Sequence, residues 1–379
     1  MKAVVFHGRE DIRVDEMPAP RLQEPTDAIV RVTASGICGS DLHLYDRVVP
    51  LMRKGDILGH EAVGIVEEAG RQAGLQTGAR VVVPFNISCG CCFMCERGLQ
   101  SQCERTQVSR YRRGARLFGY SHLYGGVPGG QAERLRVPQA QYGPFPVPDG
   151  VEDTVAVLLA DVLPTAWQAV AYADIPRGGT TAVWGLGPIG QMSARIARHV
   201  SDARVIGIDR VPARLEMARR HGIETIDLRS IRSGRRAVLE VTGGRGVDSG
   251  IDAVGTEAQS NPVGRALQRI KVRTDRFGAL RDCTGSVRRG GTVSISGVYG
   301  GFIPLVYIGQ LFDRQLSFRM GQANVRRWTD ELIPLVTDPR DPLGTRDLVT
   351  HTLSLTQAPE AYRMFRNKED GAVKVVLRP

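Results

Sequence analysis

Aromatic residues make up only 6% of the 379-residue chain, and nowhere does it hold an apolar run of the ~20 residues that a membrane-spanning helix needs. It also lacks internal repeats and low-complexity tracts, which excludes solenoids and compositionally biased tails. The opening MKAVVFHGRE reads as a strand without the apolar centre of a signal peptide, so a cytoplasmic location is expected. Seven cysteines, four of them packed at metal-ligand spacing, fit a reducing compartment better than a disulfide framework. The 42% hydrophobic and 24% charged content is an ordinary globular balance, and the length exceeds what one core usually supports, so two domains are expected. The formal charge is +10. Its densest basic runs, Arg110 to Arg116 and Arg229 to Arg236, have no aromatic-studded basic module between them. They read as solvated faces or as attraction for an anionic cofactor, with neither nucleic acid nor membrane as a partner.

From Lys2 to about Pro148 short β-type runs such as AVVF, DAIVRVTAS, AVGIVEEAG, ARVVVP and AERLRVP alternate with Gly- and Pro-bearing breaks. From Val151 the stretch TVAVLLADVLPTAWQAVAYA reads as one apolar helix. Strands and helices then alternate: TTAVWG, PIGQMSARIARHV, ARVIGID, PARLEMARRHG, ETIDL, RAVLEVTGG, DSGIDAVG and TVSISGV. That spacing predicts parallel crossovers and a doubly wound sheet. Helical patterns near Thr329 to Val336 and Ala358 to Arg366 precede a closing strand, AVKVVLRP, which needs a sheet and is expected to return to the first domain. The expected organisation is a zinc domain over 1–162 with a cysteine lobe at about 86–104, a nucleotide domain over 163–301, and a return segment over 302–379.

Gly185-Leu186-Gly187-Pro188-Ile189-Gly190 is a GxGxxG motif directly after a strand and opening a helix. Gly185 permits the turn, Gly187 lets the backbone approach a pyrophosphate, and Gly190 allows helix and strand to pack closely. Asp209 ends the next strand nineteen residues beyond Gly190, where a carboxylate binds ribose hydroxyls and repels the extra phosphate of NADP; NAD is therefore the expected form. Arg210 and Arg214 stand close enough in sequence to flank the adenine ribose, which leaves dual specificity open.

Cys89, Cys92, Cys95 and Cys103 follow C-x2-C-x2-C-x7-C in a turn-rich stretch. Four thiolates close a tetrahedral shell with no open position, the requirement of a structural zinc; iron–sulfur ligation is the rival, and the spacing favours Cys92 over Cys91. A second, dispersed set comprises Cys38 in GICGSDLH, His60 in GHEAVGIV and Asp161 in LLADVLPTAWQ. One thiolate, one imidazole and one carboxylate leave a fourth zinc position open, as catalysis requires.

In their order along the chain, GICGSDLH, GHEAVGIVEEAG, GARVVVP, the four-cysteine lobe, GGQAERLRVP and WGLGPIG resemble the zinc-containing medium-chain alcohol dehydrogenases over essentially the full length. The resemblance implies a mostly-β GroES-like catalytic domain beside a Rossmann domain, two zinc ions per subunit, NAD, a small alcohol or aldehyde substrate, and a homodimer or homotetramer. It implies that Cys38 and His60 are the first two ligands of the catalytic zinc, that Glu61 can reach the metal, and that Asp41 supports the histidine. It further implies that Ser40 accepts the substrate proton, which leaves by way of His43 near solvent. Many members of the family carry a third cysteine ligand where this chain has Asp161; the aspartate resembles the glutathione-independent formaldehyde dehydrogenase and formaldehyde dismutase branch. The long stretches from Glu104 to Gly129 and from Gly255 to Gly290 are expected insertions, able to cover the adenine end of NAD. A polyol or sugar-alcohol dehydrogenase and a dismutase with retained NAD are the alternatives within the class, and a zinc-ribbon nucleic-acid binder the alternative outside it. Trp167, Tyr45 and Leu123 are candidates for the pocket lining, and SISGVYGG with FIPLVYIGQLF for subunit association.

Overall fold

The structure, a computed structural model, describes residues 1–46, 49–255, 277–299 and 308–379. The chain divides into two compact units, Met1–Pro164 with Ala323–Pro379, and Thr165–Gln322.

The first unit is built on a seven-stranded, largely antiparallel sheet in the order Val349–Ser354, Lys374–Arg378, Ala28–Ile37, Glu61–Ala69, Arg80–Val83, Phe145–Pro146, with Arg134–Val137 also on Ala28–Ile37. The closing strand Lys374–Arg378 lies antiparallel to Ala28–Ile37 and parallel to Val349–Ser354, deep in the unit. Alternation along the strands sends Val30, Val32, Val66, Val81, Val83 and Leu135 into one core. Against that core the cysteine lobe is poor: its buried cluster is the four cysteines plus Ala115, with Met94 packed on it. The Glu104 to Gly129 stretch belongs to this unit and carries a two-stranded ribbon, Gln107–Val108 with Arg113–Ala115, and short 3-10 turns.

The apolar stretch read as one helix is two. A helix at Asp153–Ala156 passes into a 3-10 segment at Val157–Ala160; Asp161 leaves helical geometry at φ −151°, and a new helix runs from Val162 to Ala173, bent by 44°. Pro164 explains the break. A continuous helix would have residue 164 donate to the carbonyl of Ala160, and proline has no N–H to give. The freed Ala160 carbonyl accepts instead from Phe85 N at 3.2 Å.

The second unit is a six-stranded, wholly parallel sheet in the order Glu224–Asp227, Arg204–Asp209, Thr180–Trp184, Val247–Asp252, Val287–Ile295, Ser317–Met320. Numbered within the unit that is 3-2-1-4-5-6, the doubly wound order with its switch point between the first and fourth strands. Helices Pro188–Ser201, Pro212–Arg220 and Gly234–Val241 supply the first three crossovers. Two of them begin on proline, whose fixed φ suits a first helical turn and whose missing N–H is not needed there. Of the stretch Gly255 to Gly290, residues 256–276 lie outside the described residues, as does 300–307 of the apolar segment considered for subunit association.

Candidate active site

Each member of the dispersed set reaches the site by a different element. Cys38 is the N-cap of the helix Gly39–Tyr45 at the end of the strand Ala28–Ile37; His60 directly precedes the strand Glu61–Ala69; Asp161 sits at the helix break. Together with Glu61 they offer one ligand atom each, all within 4.8 Å of one another. Cys38 Sγ lies 3.4 Å from Asp161 Oδ2, and His60 Nε2 lies 3.5 Å from the same oxygen. These separations match the edges, roughly 3.4–3.6 Å, of a tetrahedron drawn with ordinary zinc–sulfur, –nitrogen and –oxygen lengths.

The electrostatics ask for a cation. Burial, and then the Asp161 carboxylate, push the Cys38 thiol above its ordinary value. A thiol and two carboxylates converge here with Lys374 as a buried ammonium beside them, bonded to Glu61 Oε1 at 2.6 Å, Glu61 Oε2 at 2.5 Å and the Ile37 carbonyl at 3.1 Å. Burial would lower an ammonium's pKa, yet Glu61 and then Cys38 hold Lys374 above its usual range. With Glu61 committed to Lys374, the donors left for a divalent ion are Cys38, His60 and Asp161, a set that suits zinc with one position open.

Around this set, Asp41 Oδ1 accepts from His60 Nδ1 at 3.0 Å and Oδ2 from the Cys38 N–H at 2.9 Å. Ser40 Oγ stands 3.3 Å from His60 Nε2, on the ligand side of the ring. His43 differs from expectation: it is 7% exposed, because every residue from Asp41 to Tyr45 on this short helix is buried. Tyr45, a candidate for the pocket lining, packs its ring on Tyr362, 5.6 Å between centroids. Phe85 and Tyr120, which no sequence signal singled out, stand edge-on to His60 at 6.2 and 6.5 Å. Lys374 was missed for the same reason: a charged residue in a closing strand carries no motif.

The cysteine lobe is a second donor set, with all four thiols buried and within 4.8 Å of one another, whereas Cys91 is exposed. Burial raises Cys89 to about 11. At Cys92 burial also pushes upward, but N–H groups of Cys95 and Glu104 outweigh it and bring the thiol down to about 6. Four sulfurs sharing so small a volume with almost no hydrocarbon fit a closed metal shell. The segment after the second unit closes over this lobe, with Ser101 N donating to Asn324 Oδ1 at 2.9 Å and Asn86 Nδ2 to the Ala323 carbonyl at 3.0 Å.

In the second unit Gly185 adopts φ +85°, and a Cβ at Gly190 would fall 1.7 Å from the Gly185 carbonyl oxygen. A Cβ on Gly187 would meet only the Arg214 guanidinium, at 3.7 Å, so the cradle is open where a pyrophosphate would lie. Pro188 and Ile189 open the helix behind it, its first turn supplying amide donors. Asp209 Oδ2 accepts from Leu186 N at 2.7 Å and Oδ1 from Arg210 N at 2.6 Å and Val211 N at 2.9 Å, so the carboxylate fastens the glycine loop to the following turn. Arg214 is buried, 3.9 Å from Asp209, and Arg210 is exposed.

Known proteins resemble the chain along its whole length. Residues 24–149 match the alcohol dehydrogenase GroES-like domain and residues 188–269 the zinc-binding dehydrogenase family. An uncharacterized zinc-type alcohol dehydrogenase-like protein of Bacillus subtilis is 37% identical over 383 residues, covering 100% of both chains. The formaldehyde dismutase of Pseudomonas putida is 32% identical over 400 residues, covering 100% of this chain and 97% of its own. Among solved structures, an alcohol dehydrogenase from Thermus sp. ATN1 superposes with a TM-score of 0.81 at 36% identity, covering 100% of this chain and 99% of that one. With two donor sets and an open glycine cradle on a scaffold shared from end to end with these enzymes, the chain belongs to the zinc-containing medium-chain alcohol dehydrogenase family.

Proposed function

We propose that this oxidoreductase transfers hydride between NAD and a small alcohol or aldehyde hydrate, with its catalytic zinc on Cys38, His60 and Asp161 and a structural zinc on Cys89, Cys92, Cys95 and Cys103. The observation that carries the reading is the buried convergence of Cys38, His60 and Asp161 beside Ser40. When bound, zinc supplies Lewis acidity toward a substrate oxygen and the nicotinamide supplies the hydride acceptor. Ser40 accepts the proton of the substrate hydroxyl as it passes its own hydroxyl proton onward, since its Oγ borders the ligand atoms. His43, on the same short helix, is the next titratable group along the proposed path. Asp41 keeps a proton on His60 Nδ1 and so leaves Nε2 free to bind the metal.

Asp161 in place of a cysteine, together with the 32% identity to a formaldehyde dismutase, supports the formaldehyde dehydrogenase-like branch. The ring edges of Phe85 and Tyr120 beside His60 favour a compact substrate over a sugar alcohol. Asp209 supports NAD over NADP, because a 2′-phosphate would meet a carboxylate. Seven cysteines, none of them in a disulfide, support a cytoplasmic location. The outer strand Ser317–Met320, with Met320 60% exposed and Ile308 and Phe312 of the preceding helix 72% and 81% exposed, supports a homodimer or homotetramer.

Metal analysis of Asp161→Ala beside wild type, with a panel of alcohols and aldehydes assayed on NAD and NADP, tests the reading. Two zinc ions per chain in the wild type, one in the variant and no turnover by the variant are expected. Two ions and full activity in the variant would remove Asp161 from the site, and a clear NADP preference would overturn the cofactor assignment.

A further inference from the structure

Four buried polar groups not needed to contact substrate form a single line. Tyr362 donates its hydroxyl to Gln131 Oε1 at 2.7 Å; Gln131 Nε2 donates to the Gly36 carbonyl at 3.1 Å and to Asp41 Oδ2 at 3.4 Å; Asp41 Oδ1 receives His60 Nδ1 at 3.0 Å. Tyr362, Gln131 and Asp41 are 0% exposed. We propose that Gln131 and Tyr362 are positioning residues of the metal centre, acting through Asp41 to fix the rotation and tautomer of His60. The proposal rests on Cys38, His60 and Asp161 being that centre.

Donor and acceptor inventory leaves each link one direction. A carboxylate and a main-chain carbonyl only accept, so the edge of Gln131 facing Asp41 and Gly36 is its NH2 group. Its Oε1 then faces Tyr362, whose hydroxyl has to donate. Asp41 accepts from His60 on one oxygen and from Gln131 and the Cys38 N–H on the other, so turning the carboxylate would break bonds on both oxygens. The imidazole proton is thereby held on Nδ1, and the Nε2 lone pair faces Cys38 and Asp161. In so small and dry a volume a half-made network costs more than none, which gives every link an influence on the next.

Packing makes the line rigid as well as directional. Gln131 of GGQA crosses Gly59 of GHEA: Gly59 has φ +94°, and a Cβ there would lie 2.3 Å from Gln131 Cγ. The residue immediately before the histidine is thus shaped to the glutamine that steadies it. Main-chain bonds from Gln131 N to Leu58 O at 3.0 Å and from Val4 N to Gln131 O at 2.8 Å pin the same crossing. At the far end the Tyr362 ring lies against Tyr45, the last residue of the helix that carries Asp41 and is capped by Cys38. Tyr362 therefore reaches the site by two routes, one polar and one apolar.

The experiment uses zinc-loaded full-length protein and follows each metal's release to a chelator, with the lobe's metal as internal control. The visible spectrum after cobalt(II) is exchanged into the dispersed site is recorded alongside. Partners behind a metal ligand typically change affinity ~10–100-fold. In Gln131→Met the dispersed site is expected to release metal faster by about that factor and to show altered cobalt bands, while the lobe's metal leaves at the wild-type rate. Gln131→Glu can still accept from Tyr362 but sets a second carboxylate against Asp41, and no rescue is expected. Tyr362→Phe, which removes one oxygen, moves the same two readouts less and in the same direction; it carries the test if Gln131→Met fails to fold. Wild-type release and an unaltered cobalt spectrum in a folded Gln131→Met or Tyr362→Phe protein overturn the proposal. A wild-type protein that binds metal in the lobe alone overturns the reading of the dispersed site, and the proposal with it.

Discussion

The two donor sets of the first unit are opposites in construction. The cysteine lobe draws its ligands from fifteen consecutive residues, Cys89 to Cys103, and has hardly any hydrocarbon of its own. The dispersed site draws Cys38, His60 and Asp161 from three elements, each already held by the sheet, by a helix cap or by a helix break. A metal in the lobe would substitute for a core, whereas a metal in the dispersed site would meet donors that the fold has already placed. The first should couple metal to folding, and the second metal to turnover.

The sharpest break in that comparison would come from Cys103→Ser. It is expected to be the most damaging change, with loss of the lobe's zinc and a melting temperature lowered by about 10 °C or more, since several kcal/mol of folding free energy go with a structural metal. A melting curve like the wild type's would show that the lobe stands without its metal. Next in size, graded chelation should strip the dispersed site first, so that activity disappears while the thermal transition hardly moves; simultaneous loss of both metals would erase the distinction. Ser40→Ala should lower kcat by ~10²-fold or more, the usual range for removing a proton acceptor. Two metals and unaltered NAD affinity should remain, measured by metal analysis and by cofactor titration. Smallest of all, Cys91→Ser should change nothing, because that thiol is exposed while Cys92 is buried. A fall from two metals per chain to one in that variant would reassign the ligand.

The same contrast governs what could be read in advance. Locality made the lobe and the glycine loop legible: C-x2-C-x2-C-x7-C and GxGxxG each declare their chemistry within one stretch. Strand–helix alternation likewise announced the doubly wound parallel sheet, though not the order of its strands. The dispersed site was legible only through the family resemblance, because no periodicity relates residues 38, 60 and 161. Of two residues beside it, Lys374 carried no signal and Gln131 lay in a resembling segment, GGQAERLRVP, that gave it no role: a buried lysine and a buried glutamine acquire meaning only from the partners that the fold brings to them. The helix break was readable in principle from Pro164, but apolar periodicity on both sides outweighed one proline in the reading of TVAVLLADVLPTAWQAVAYA. The burial of His43 could not be read from a seven-residue helix, too short to show one buried face, whose last five residues are all buried.

The Glu61–Lys374 pair joins residues 313 apart in sequence, with the contiguous unit at 165–322 between them. The strand that carries Lys374 docks beside Ala28–Ile37, and without it the Glu61 carboxylate has no ammonium to face. The integrity of one strand of the sheet and the balance of charge at the dispersed donor set therefore rise and fall together.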